Sequence, residues 1–465
     1  MPDLKHLARQ IFQQTLAAIN IPQVMQRKLQ LRGSRLSCID PAFVVQKEWT
    51  GFARRTAARP ADRMIDAVSE IDLCDFDELR AIAFGKAAHS MIEGLADILA
   101  PDFPVSGIVS APTPPQHPIA GLQYFVAGHP VPTAASFEAG HAILDLLHKC
   151  DERTLIFFLI SGGGSTLVEL PLDPQLALEE VQGLSRVLVT CGASIDEINT
   201  VRKHLSAVKG GRLAAAAPRA MKLTYGVTDV PTGKESALAS GPTIPDPTTV
   251  QDMERVLSDF ALRAKLPAGI QGFLARGGAR ETPKPGDSAF ARAQFQILLG
   301  MHDLFHAAHR AAEAAGFVTI CDNRTDDWPL PQATDYLLDQ LAQLQRSNSG
   351  RSVAVIADGE VSSRVTGNGV GGRNSAFVLD CVKAIAEKKI AVLSVGTDGV
   401  DGVSPAAGAV ADGETFGRAR AAGLDPGDYF LRSDSHTFFQ RLDDAIVTGP
   451  TGNNLRDLRI LLAGS

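Results

Sequence analysis

The sequence lacks close cysteine pairs and long apolar runs, and these two shortages exclude several kinds of protein. Its six cysteines are scattered, so neither a CxxC metal site nor a disulfide framework is indicated, and a reducing cytoplasm fits. The longest apolar runs, such as Leu155–Ile160, are strand-sized and far short of the roughly 20 residues that cross a bilayer. The amino-terminal residues alternate apolar and polar side chains, which is typical of an amphipathic helix and not of a secretory signal.

An excess of positive charge is also missing. The 465 residues include 45 Lys and Arg against 52 Asp and Glu, so binding to a polyanion such as nucleic acid is disfavoured. Hydrophobic residues make up 45% of the chain, which rules out disorder for the bulk of it. The length predicts two or three domains. Any anionic ligand must therefore be held by a local cluster of donors.

The chain repeats a strand–loop–helix pattern, which predicts parallel sheet with helices on both faces. The charged, Gly- and Pro-rich segment 276–286 has no periodicity and is typical of a boundary between domains. We therefore predict an α/β protein of two lobes, a doubly wound, Rossmann-like parallel sheet over residues 1–285 and a smaller α/β domain over residues 286–465. Four apolar runs have the form of strands buried on both faces: Ala81–Phe84, Thr154–Ile160, Val353–Ala357 and Ile390–Val395.

A glycine-rich segment, Ser161-Gly162-Gly163-Gly164-Ser165, follows the second of these strands. Such a turn between a strand and a helix lets backbone N–H groups approach an anion, and the hydroxyls add donors. The alternative is a tight turn that simply needs a positive φ. It is not a Walker A loop, because G-x-x-x-x-G-K-[ST] occurs nowhere in the chain.

Three further positions in the N-terminal half are candidates for chemistry. Lys86 follows a strand at the edge where open α/β sheets bind ligands, and its ammonium can neutralise a phosphate; an exposed lysine at a helix start is the alternative. Arg202 and Lys203 lie in a basic segment, 199–212, without acidic residues, which can clamp a carboxylate or phosphate unless it is only a solvated helix face. Asp229 ends another strand and can hold Mg²⁺ or act as a base toward a hydroxyl.

In the C-terminal half, the segment 367–372 formally matches G-x-G-x-x-G, but a dinucleotide site is weakly indicated because the preceding strand ends about ten residues earlier. Arg373 and Asn374 at the following helix start favour an anion site. Asp398 and Asp401 lie in a glycine-rich loop, which is consistent with a metal or polar-ligand site and equally with an Asx-rich turn.

Both lobes thus end their strands in polar glycine loops, which is typical of a ligand cleft between two α/β lobes. The candidate groups are fixed cations and hydrogen-bond donors, with no evident Cys or His nucleophile system. That combination favours phosphoryl transfer, in which positioning and charge neutralisation do most of the catalysis.

Eight motifs, in family order and from about residue 80 to 457, closely resemble those of the class II glycerate kinases, whose C-terminal half is called the MOFRL domain. The match covers nearly the whole chain. The motifs are Phe84-Gly85-Lys86-Ala87-Ala88, Gly128-His129-Pro130-Val131-Pro132, Ser161-Gly162-Gly163-Gly164-Ser165, Asn199-Thr200-Val201-Arg202-Lys203-His204-Leu205-Ser206, Ala239-Ser240-Gly241-Pro242-Thr243, Gly371-Gly372-Arg373-Asn374, Gly396-Thr397-Asp398-Gly399 and Thr448-Gly449-Pro450-Thr451-Gly452.

The resemblance implies ATP- and Mg²⁺-dependent phosphorylation of the 2-hydroxyl of D-glycerate, giving 2-phosphoglycerate and ADP. It implicates Lys86 and Arg373 in catalysis, and our own interpretation of the residues adds Asp229, which positions a metal or the hydroxyl. Substrate or nucleotide binding falls to the other matched positions, while the metal ligands stay unassigned; these positions are Ser161, Gly162, Gly163, Gly164, Ser165, Arg202, Lys203, Asn374 and Asp398.

Several positions depart from the family pattern. Thr232, Gly233 and Lys234 stand where the family usually has a glycine and two aspartates, so metal or substrate handling differs. Asp358 lies in an Ala-Asp-Gly-Glu segment that replaces a Ser-Gly-Gly-Glu form, and Ser375 begins a pair that replaces Gln-Glu. A related hydroxy acid is therefore an alternative substrate.

Two other functions stay open at this point. One is an NAD(P)-dependent hydroxypyruvate or tartronate reductase, since some relatives carry that label. The other is a catalytically inactive relative that binds a sugar acid or nucleotide. In each case we expect a cytoplasmic monomer or homodimer that binds small molecules, and neither nucleic acid nor membrane.

Overall fold

The computed structural model describes residues 3–38, 70–228, 230, 233–453 and 455–465. The chain divides into two compact units. The N-terminal unit is Ile21–Leu299, and the C-terminal unit is Met1–Asn20 together with Gly300–Ser465. In the described ranges no helix has the length and apolar character that crossing a membrane requires.

The chain begins with helix α1 (Leu4–Ala18), which belongs to the C-terminal unit. In the ranges that the structure describes, the N-terminal unit then combines nine strands with helices and short 3₁₀ turns. Its strands are β1 (Leu29–Arg32), β2 (Arg35–Cys38), β3 (Ile71–Asp72), β4 (Glu78–Phe84), β5 (Ser106–Ala111), β6 (Leu122–Val126), β7 (Thr154–Ser161), β8 (Met221–Val227) and β9 (Ala293–Leu299). Its helices are α2 (Ile21–Lys28), α3 (Ala88–Leu99), α4 (Ala134–Leu147), α5 (Gly164–Leu167), α6 (Leu178–Thr190), α7 (Ile195–Leu205), α8 (Arg212–Ala216), α9 (Val250–Asp259) and α10 (Ala268–Ala275).

The main sheet of the N-terminal unit has six parallel strands in the order β6-β5-β4-β7-β8-β9, and β1 to β3 form a small antiparallel sheet. All eight residues of β7 are buried, which accounts for its continuous apolar sequence. The strand order reverses between β4 and β7. In a doubly wound sheet the ligand site lies beside this reversal, at the carboxyl ends of the strands. The predicted Rossmann-like sheet is confirmed.

The C-terminal unit continues with helices and a second six-stranded sheet. Its helices are α11 (Met301–Ala314), α12 (Leu330–Ser347), α13 (Arg373–Ala384), α14 (Thr415–Ala421), α15 (Pro426–Leu431) and α16 (Ser435–Arg441). Its strands are β10 (Val318–Cys321), β11 (Val353–Asp358), β12 (Ile390–Gly396), β13 (Gly408–Asp412), β14 (Ala445–Ile446) and β15 (Asp457–Ala463).

This second sheet is mixed, in the order β10-β11-β15-β12-β13-β14. Only β10 and β11 pair in parallel, because the last strand, β15, inserts between β11 and β12 and runs antiparallel to both. The strand–loop–helix pattern predicted parallel pairing here and did not anticipate this insertion. As a result the carboxyl ends of β11 and β12 and the amino end of β15 meet at one edge, where Asp358 pairs with Leu458 and Gly396 with Asp457.

The division into units differs from the predicted boundary between residues 285 and 286. The N-terminal unit runs on to Leu299 because β9 pairs with β8 as the sixth strand of its sheet. Helix α1 packs in the C-terminal unit, where the Lys5 ammonium lies 3.0 Å from a carboxylate oxygen of Asp444. The polar segment 276–286 is therefore a connection within the N-terminal unit.

Candidate active site

The loops after β4 and β7 meet at the reversal of strand order in the N-terminal unit. Gly85 has a φ of +126°, and a Cβ there would lie 2.1 Å from the Ser161 hydroxyl, so only glycine fits. The backbone N–H of Ala87 donates to Ser161 Oγ at 3.0 Å, and that of Lys86 donates to the Gly162 carbonyl at 2.9 Å. These bonds fix Lys86 against the glycine loop.

The glycine loop itself is shaped for a close approach. Gly163 has a φ of +82°, and a Cβ there would lie 2.9 Å from the His129 ring and 3.3 Å from Lys86 Cγ. Among the residues the structure describes, the N–H groups of Gly162 and Gly163 find no acceptor. Two unused backbone donors beside an ammonium can receive an anion such as a phosphate.

His129 is a neighbour of Lys86 to which the sequence analysis assigns no role, although it lies within a quoted Gly-His-Pro motif. Burial, and then the positive charge of Lys86, lower the pKa of the His129 imidazole below its usual value. The ring is therefore neutral near pH 7 and does not add a second positive charge. A neutral ring can donate or accept one hydrogen bond beside the glycine loop.

Helix α7 carries the predicted basic pair. The helix begins at a capping box, in which Ser194 and Glu197 bond each other's backbone N–H groups. Lys203 points into the protein and donates to Asp246 Oδ1 at 3.2 Å, with both side chains buried. The Lys203 ammonium therefore holds Asp246 in the interior.

Arg202 has a different environment. Burial lowers the pKa of its guanidinium, and the carboxylate of Glu169 opposes that shift. Glu169 is already paired with the buried ammonium of Lys209 at 2.6 Å, so one positive charge in this group of three is left over. Within the described ranges the Arg202 guanidinium forms no hydrogen bond or ion pair. A poorly hydrated cation with surplus charge favours an anionic ligand.

Two further predicted features remain: the last serine of the glycine loop and the altered segment after β8. Ser165 Oγ lies 2.8 Å from Ser240 Oγ. Asp229 and Thr232 lie outside the described residues. Lys234 forms an exposed ion pair with Asp196 in the first turn of α7, at 2.7 Å. The cation that replaces a family aspartate thus pairs with a surface carboxylate.

In the C-terminal unit, Arg373 is held between two carboxylates at the edge where β11 and β15 meet. Its Nε donates to Asp457 Oδ2 at 2.5 Å, and its two terminal nitrogens each lie 2.7 Å from an oxygen of Glu360. Burial would lower the pKa of the guanidinium, but the negative charges of Asp457 and Glu360 outweigh it and raise the pKa. Arg373 is permanently charged and held in one orientation.

Asn374 and Asp398 are the other predicted binding residues of the C-terminal unit, and their side chains differ in accessibility. The Asn374 side chain is buried, and its Oδ1 accepts a hydrogen bond from Ser394 Oγ at 2.6 Å. The first N–H groups of α13 are taken by Asp401, which accepts from the backbone of Asn374 at 2.9 Å and of Ser375 at 2.8 Å. Asp398 is half-buried and accepts from the Val400 N–H at 3.0 Å. The Asp401 carboxylate thus fills the anion position that the sequence analysis placed at the start of this helix.

Asp358, which departs from the family pattern, is only 1% exposed and has one carboxylate oxygen without a hydrogen-bond partner. Burial, assisted by the negative charge of Asp326, raises its pKa to about 6, although Arg456 and Arg459 oppose the shift. In the unfolded chain the pKa of an aspartate is about 4. Between these values the folded state binds the extra proton, so folding becomes more favourable as the pH falls.

Asp358→Asn should remove this pH dependence. We expect the wild type to gain about 1 to 1.5 kcal/mol of unfolding free energy relative to the variant between pH 7.5 and pH 5, because only the wild-type folded state takes up the proton. Urea titrations of both proteins at the two pH values measure this. The exposed Asp339→Asn is the control and should follow the wild type. Parallel pH profiles for wild type and Asp358→Asn would contradict the assignment.

The described residues contain no cluster of three or more His, Cys, Asp or Glu side chains that could hold a metal ion by themselves. Mg²⁺ is commonly bound by one or two carboxylates together with the phosphates of a nucleotide. The half-buried carboxylate of Asp398 has the ligand chemistry for that arrangement.

Comparison with known proteins gives two family matches, one for each part of the chain. Residues 7–275 match the family described as a domain of unknown function, DUF4147, and residues 353–457 match the MOFRL family. Together the two matches include every candidate residue considered above.

Relatives cover most of the chain. It is 32% identical to a D-glycerate 2-kinase from Thermotoga maritima, over 83% of this chain and 91% of that protein. It is 34% identical to a putative hydroxypyruvate reductase from Agrobacterium vitis, over 88% of this chain and 92% of that protein. The crystal structure of a glycerate kinase from Thermotoga maritima superposes with a TM-score of 0.81 at 29% identity, covering 99% of both chains.

Proposed function

The chain belongs to the class II glycerate kinase family, and from that premise we propose that it transfers the γ-phosphoryl group of ATP to the 2-hydroxyl of D-glycerate or a closely related hydroxy acid. The main support for this proposal is the arrangement of residues at the reversal of strand order in the N-terminal sheet. There Lys86 is fixed beside the unused N–H groups of Gly162 and Gly163. An ammonium and two backbone donors suit the terminal phosphate of a nucleotide.

The substrate carboxylate is assigned to Arg202. Its surplus positive charge and its position on α7 support this role, and a guanidinium can bind a carboxylate through two N–H groups. Lys203 is assigned a supporting role, because its ammonium is engaged by Asp246. The hydroxy acid is thus held by a different cation from the one that receives the phosphate.

The proposed transfer step forms one bond to phosphorus and breaks another. The 2-hydroxyl oxygen bonds to the γ-phosphorus, the bond from that phosphorus to the β-phosphate oxygen breaks, and ADP leaves with the electron pair. We assign the hydroxyl proton to the Asp229 carboxylate and the neutralisation of charge on the phosphoryl group to Lys86 and Arg373. Asp457 and Glu360 leave one N–H of Arg373 Nη1 for this task.

ATP enters as its Mg²⁺ complex in this proposal. Mg²⁺ takes oxygen ligands and is usually shared between nucleotide phosphates and one or two carboxylates. Asp398 is the carboxylate we assign to this contact, and a bound ion would supply further neutralisation of the phosphates. Because the six cysteines are scattered along the sequence without a close pair, we also assign the enzyme to the reducing cytoplasm.

The reductase name of one relative makes nicotinamide chemistry a second candidate, but the glycines that suggested it have another role. Gly367 and Gly369 lie in the loop before α13, where a Cβ would meet the Arg432 carbonyl at 2.4 Å and the Asp434 Cβ at 2.4 Å, respectively. They are needed for packing against the 432–434 segment. They also do not form the strand-to-helix turn that a dinucleotide site requires.

The first test is a coupled assay of ADP release with Mg²⁺–ATP and D-glycerate, erythronate or tartronate. We expect turnover with D-glycerate or one of its relatives, and ³¹P NMR should show the phosphate on the 2-hydroxyl. Thermal-shift titrations with Mg²⁺–ATP and with NADH provide the comparison. Background rates with every acid, together with stabilisation by NADH alone, would overturn the kinase proposal.

A further inference from the structure

Three side chains from separate parts of the N-terminal unit form a hydrogen-bonded chain. Ser165, in the glycine loop, lies 2.8 Å from Ser240 Oγ. Ser240 Oγ in turn donates to Asn199 Oδ1, on α7, at 2.9 Å. Ser240 and Asn199 are buried. The chain therefore connects the proposed phosphate loop to the helix that carries Arg202.

The loop that presents Ser240 has an unfavourable backbone. Ala239, Ser240 and Gly241 have φ values of +49°, +61° and +62°, so two non-glycine residues in succession are left-handed. Such a conformation is unfavourable for a residue with a side chain and persists where the surroundings enforce it. Here the N–H groups of Gly210 and Gly211 hold the carbonyls of Ser240 and Gly241 at 3.0 Å and 2.7 Å. The placement of the Ser240 hydroxyl is thus fixed by its surroundings.

The placed Asn199 amide, whose oxygen faces Ser240, decides the direction of each hydrogen bond in this chain. The single hydroxyl proton of Ser240 goes to Asn199 Oδ1, so Ser165 must donate its own proton to Ser240. The amide oxygen of Asn199 is satisfied, and its Nδ2 carries two protons. No described residue accepts either of them. The hydrogen-bonded chain therefore turns the donor end of Asn199 away from Ser240.

Asn199 and Arg202 are three residues apart on α7, a spacing that places both on one face of a helix. The same face continues to Ser206, whose hydroxyl bonds Glu169 at 2.8 Å. An amide donor and a guanidinium with surplus charge are thus neighbours. A carboxylate has two oxygens and binds such a pair with one oxygen on each.

We propose that Asn199 is a specificity-determining residue that binds the substrate carboxylate together with Arg202, and that Ser240 is the positioning residue that orients its amide. This inference rests on the proposed function, because it assigns the carboxylate of the hydroxy acid to this face of α7. A site of this kind binds substrates with a carboxylate more tightly than polyols of the same size, because a polyol offers Asn199 and Arg202 no anionic partner.

Asn199→Asp tests the assignment with little change of shape. The new carboxylate still accepts from Ser240, but it replaces the donor by a negative charge facing the substrate carboxylate. We expect the KM for D-glycerate to rise by tenfold to a hundredfold, the range of one lost charge-assisted hydrogen bond. The KM for ATP should stay within twofold. Gln175→Glu adds the same charge at an exposed position of the same unit and should match the wild type.

Ser240→Ala supplies the second variant, since it frees the amide to rotate without adding charge. We expect the D-glycerate KM to rise by about threefold to tenfold with the ATP KM unchanged, a split that general destabilisation would not produce. Calorimetric titration of D-glycerate into wild type and Asn199→Asp measures binding without turnover. If the wild type binds the acid but does not phosphorylate it, and Asn199→Asp weakens binding, the inference stands and the kinase proposal fails. An unchanged D-glycerate KM and affinity in Asn199→Asp, or no binding by the wild type, would overturn the inference.

Discussion

Lys86→Ala should lower kcat for D-glycerate phosphorylation by about a hundredfold to a thousandfold, the loss typical of removing a group that neutralises developing charge. The backbone of Lys86 is held at the carboxyl end of β4 by its bond to Gly162, beside the unused N–H groups of the glycine loop. Because Lys86 contacts the transferred phosphoryl in the proposal, the effect should appear mainly in kcat. The D-glycerate KM should change by less than threefold.

Two controls make that result specific. Lys149→Ala removes an exposed lysine from the same unit and should leave kcat within twofold. Lys86→Arg keeps the charge but not the compact geometry of the ammonium, so we expect an intermediate kcat. A Lys86→Ala enzyme with near-normal kcat, measured in the ADP-release assay, would remove Lys86 from the mechanism.

Arg373→Ala should have two separable effects. We expect kcat to fall by about a hundredfold or more, because the proposal directs the remaining Nη1 proton of Arg373 to the phosphoryl group. We also expect the unfolding free energy to fall by about 2–3 kcal/mol, because the buried Asp457 loses its nearest ion-pair partner and is left with the Arg459 guanidinium at 3.9 Å. This is less than for a fully buried pair, since the Arg373 side chain is 36% exposed.

A double comparison separates chemistry from stability. Asp457→Asn removes one of the two carboxylates that orient Arg373 but keeps the guanidinium, so we expect a smaller loss of kcat than in Arg373→Ala. Arg351→Ala, at an exposed position, is the matched control for both measurements. Urea titrations and steady-state kinetics of the four proteins give the two effects. If Arg373→Ala lost stability while kcat stayed within threefold, Arg373 would be a structural residue.

The sequence predicted the buried strands well because burial on both faces leaves a simple pattern. The apolar run 154–160 lies within β7, and its neighbour β4 contains the predicted strand 81–84. The glycine loop and Lys86 could be placed at the carboxyl ends of these strands for the same reason. The insertion of β15 between β11 and β12 could not be predicted, since pairing between strands distant in the chain is not encoded in local periodicity.

The candidate side chains were harder to predict than the strands, because their roles depend on partners far along the chain. Arg202 and Lys203 are adjacent and equivalent by pattern, yet only Lys203 meets a buried aspartate, 43 positions further on. Arg373 looks like an isolated cation in sequence, but its two carboxylate partners lie 13 and 84 positions away. Charge compensation of this kind decides which cations remain for a ligand.

The hydrogen-bonded chain of Ser165, Ser240 and Asn199 shows the same difficulty. All three residues stand in motifs that the sequence analysis quotes, but nothing in those motifs indicates a contact between them. Two left-handed residues without glycine have no local sequence signal. The contact that gives Asn199 its orientation appears only when the loop folds back onto α7.

A crystal structure with a non-hydrolysable ATP analogue, Mg²⁺ and D-glycerate tests the account most directly. It predicts the γ-phosphate within hydrogen-bond distance of Lys86 Nζ and of the Gly162 and Gly163 N–H groups. A triphosphate bound elsewhere on the protein, with Lys86 and the glycine loop making no contact to it, would contradict the assignment of the phosphate site.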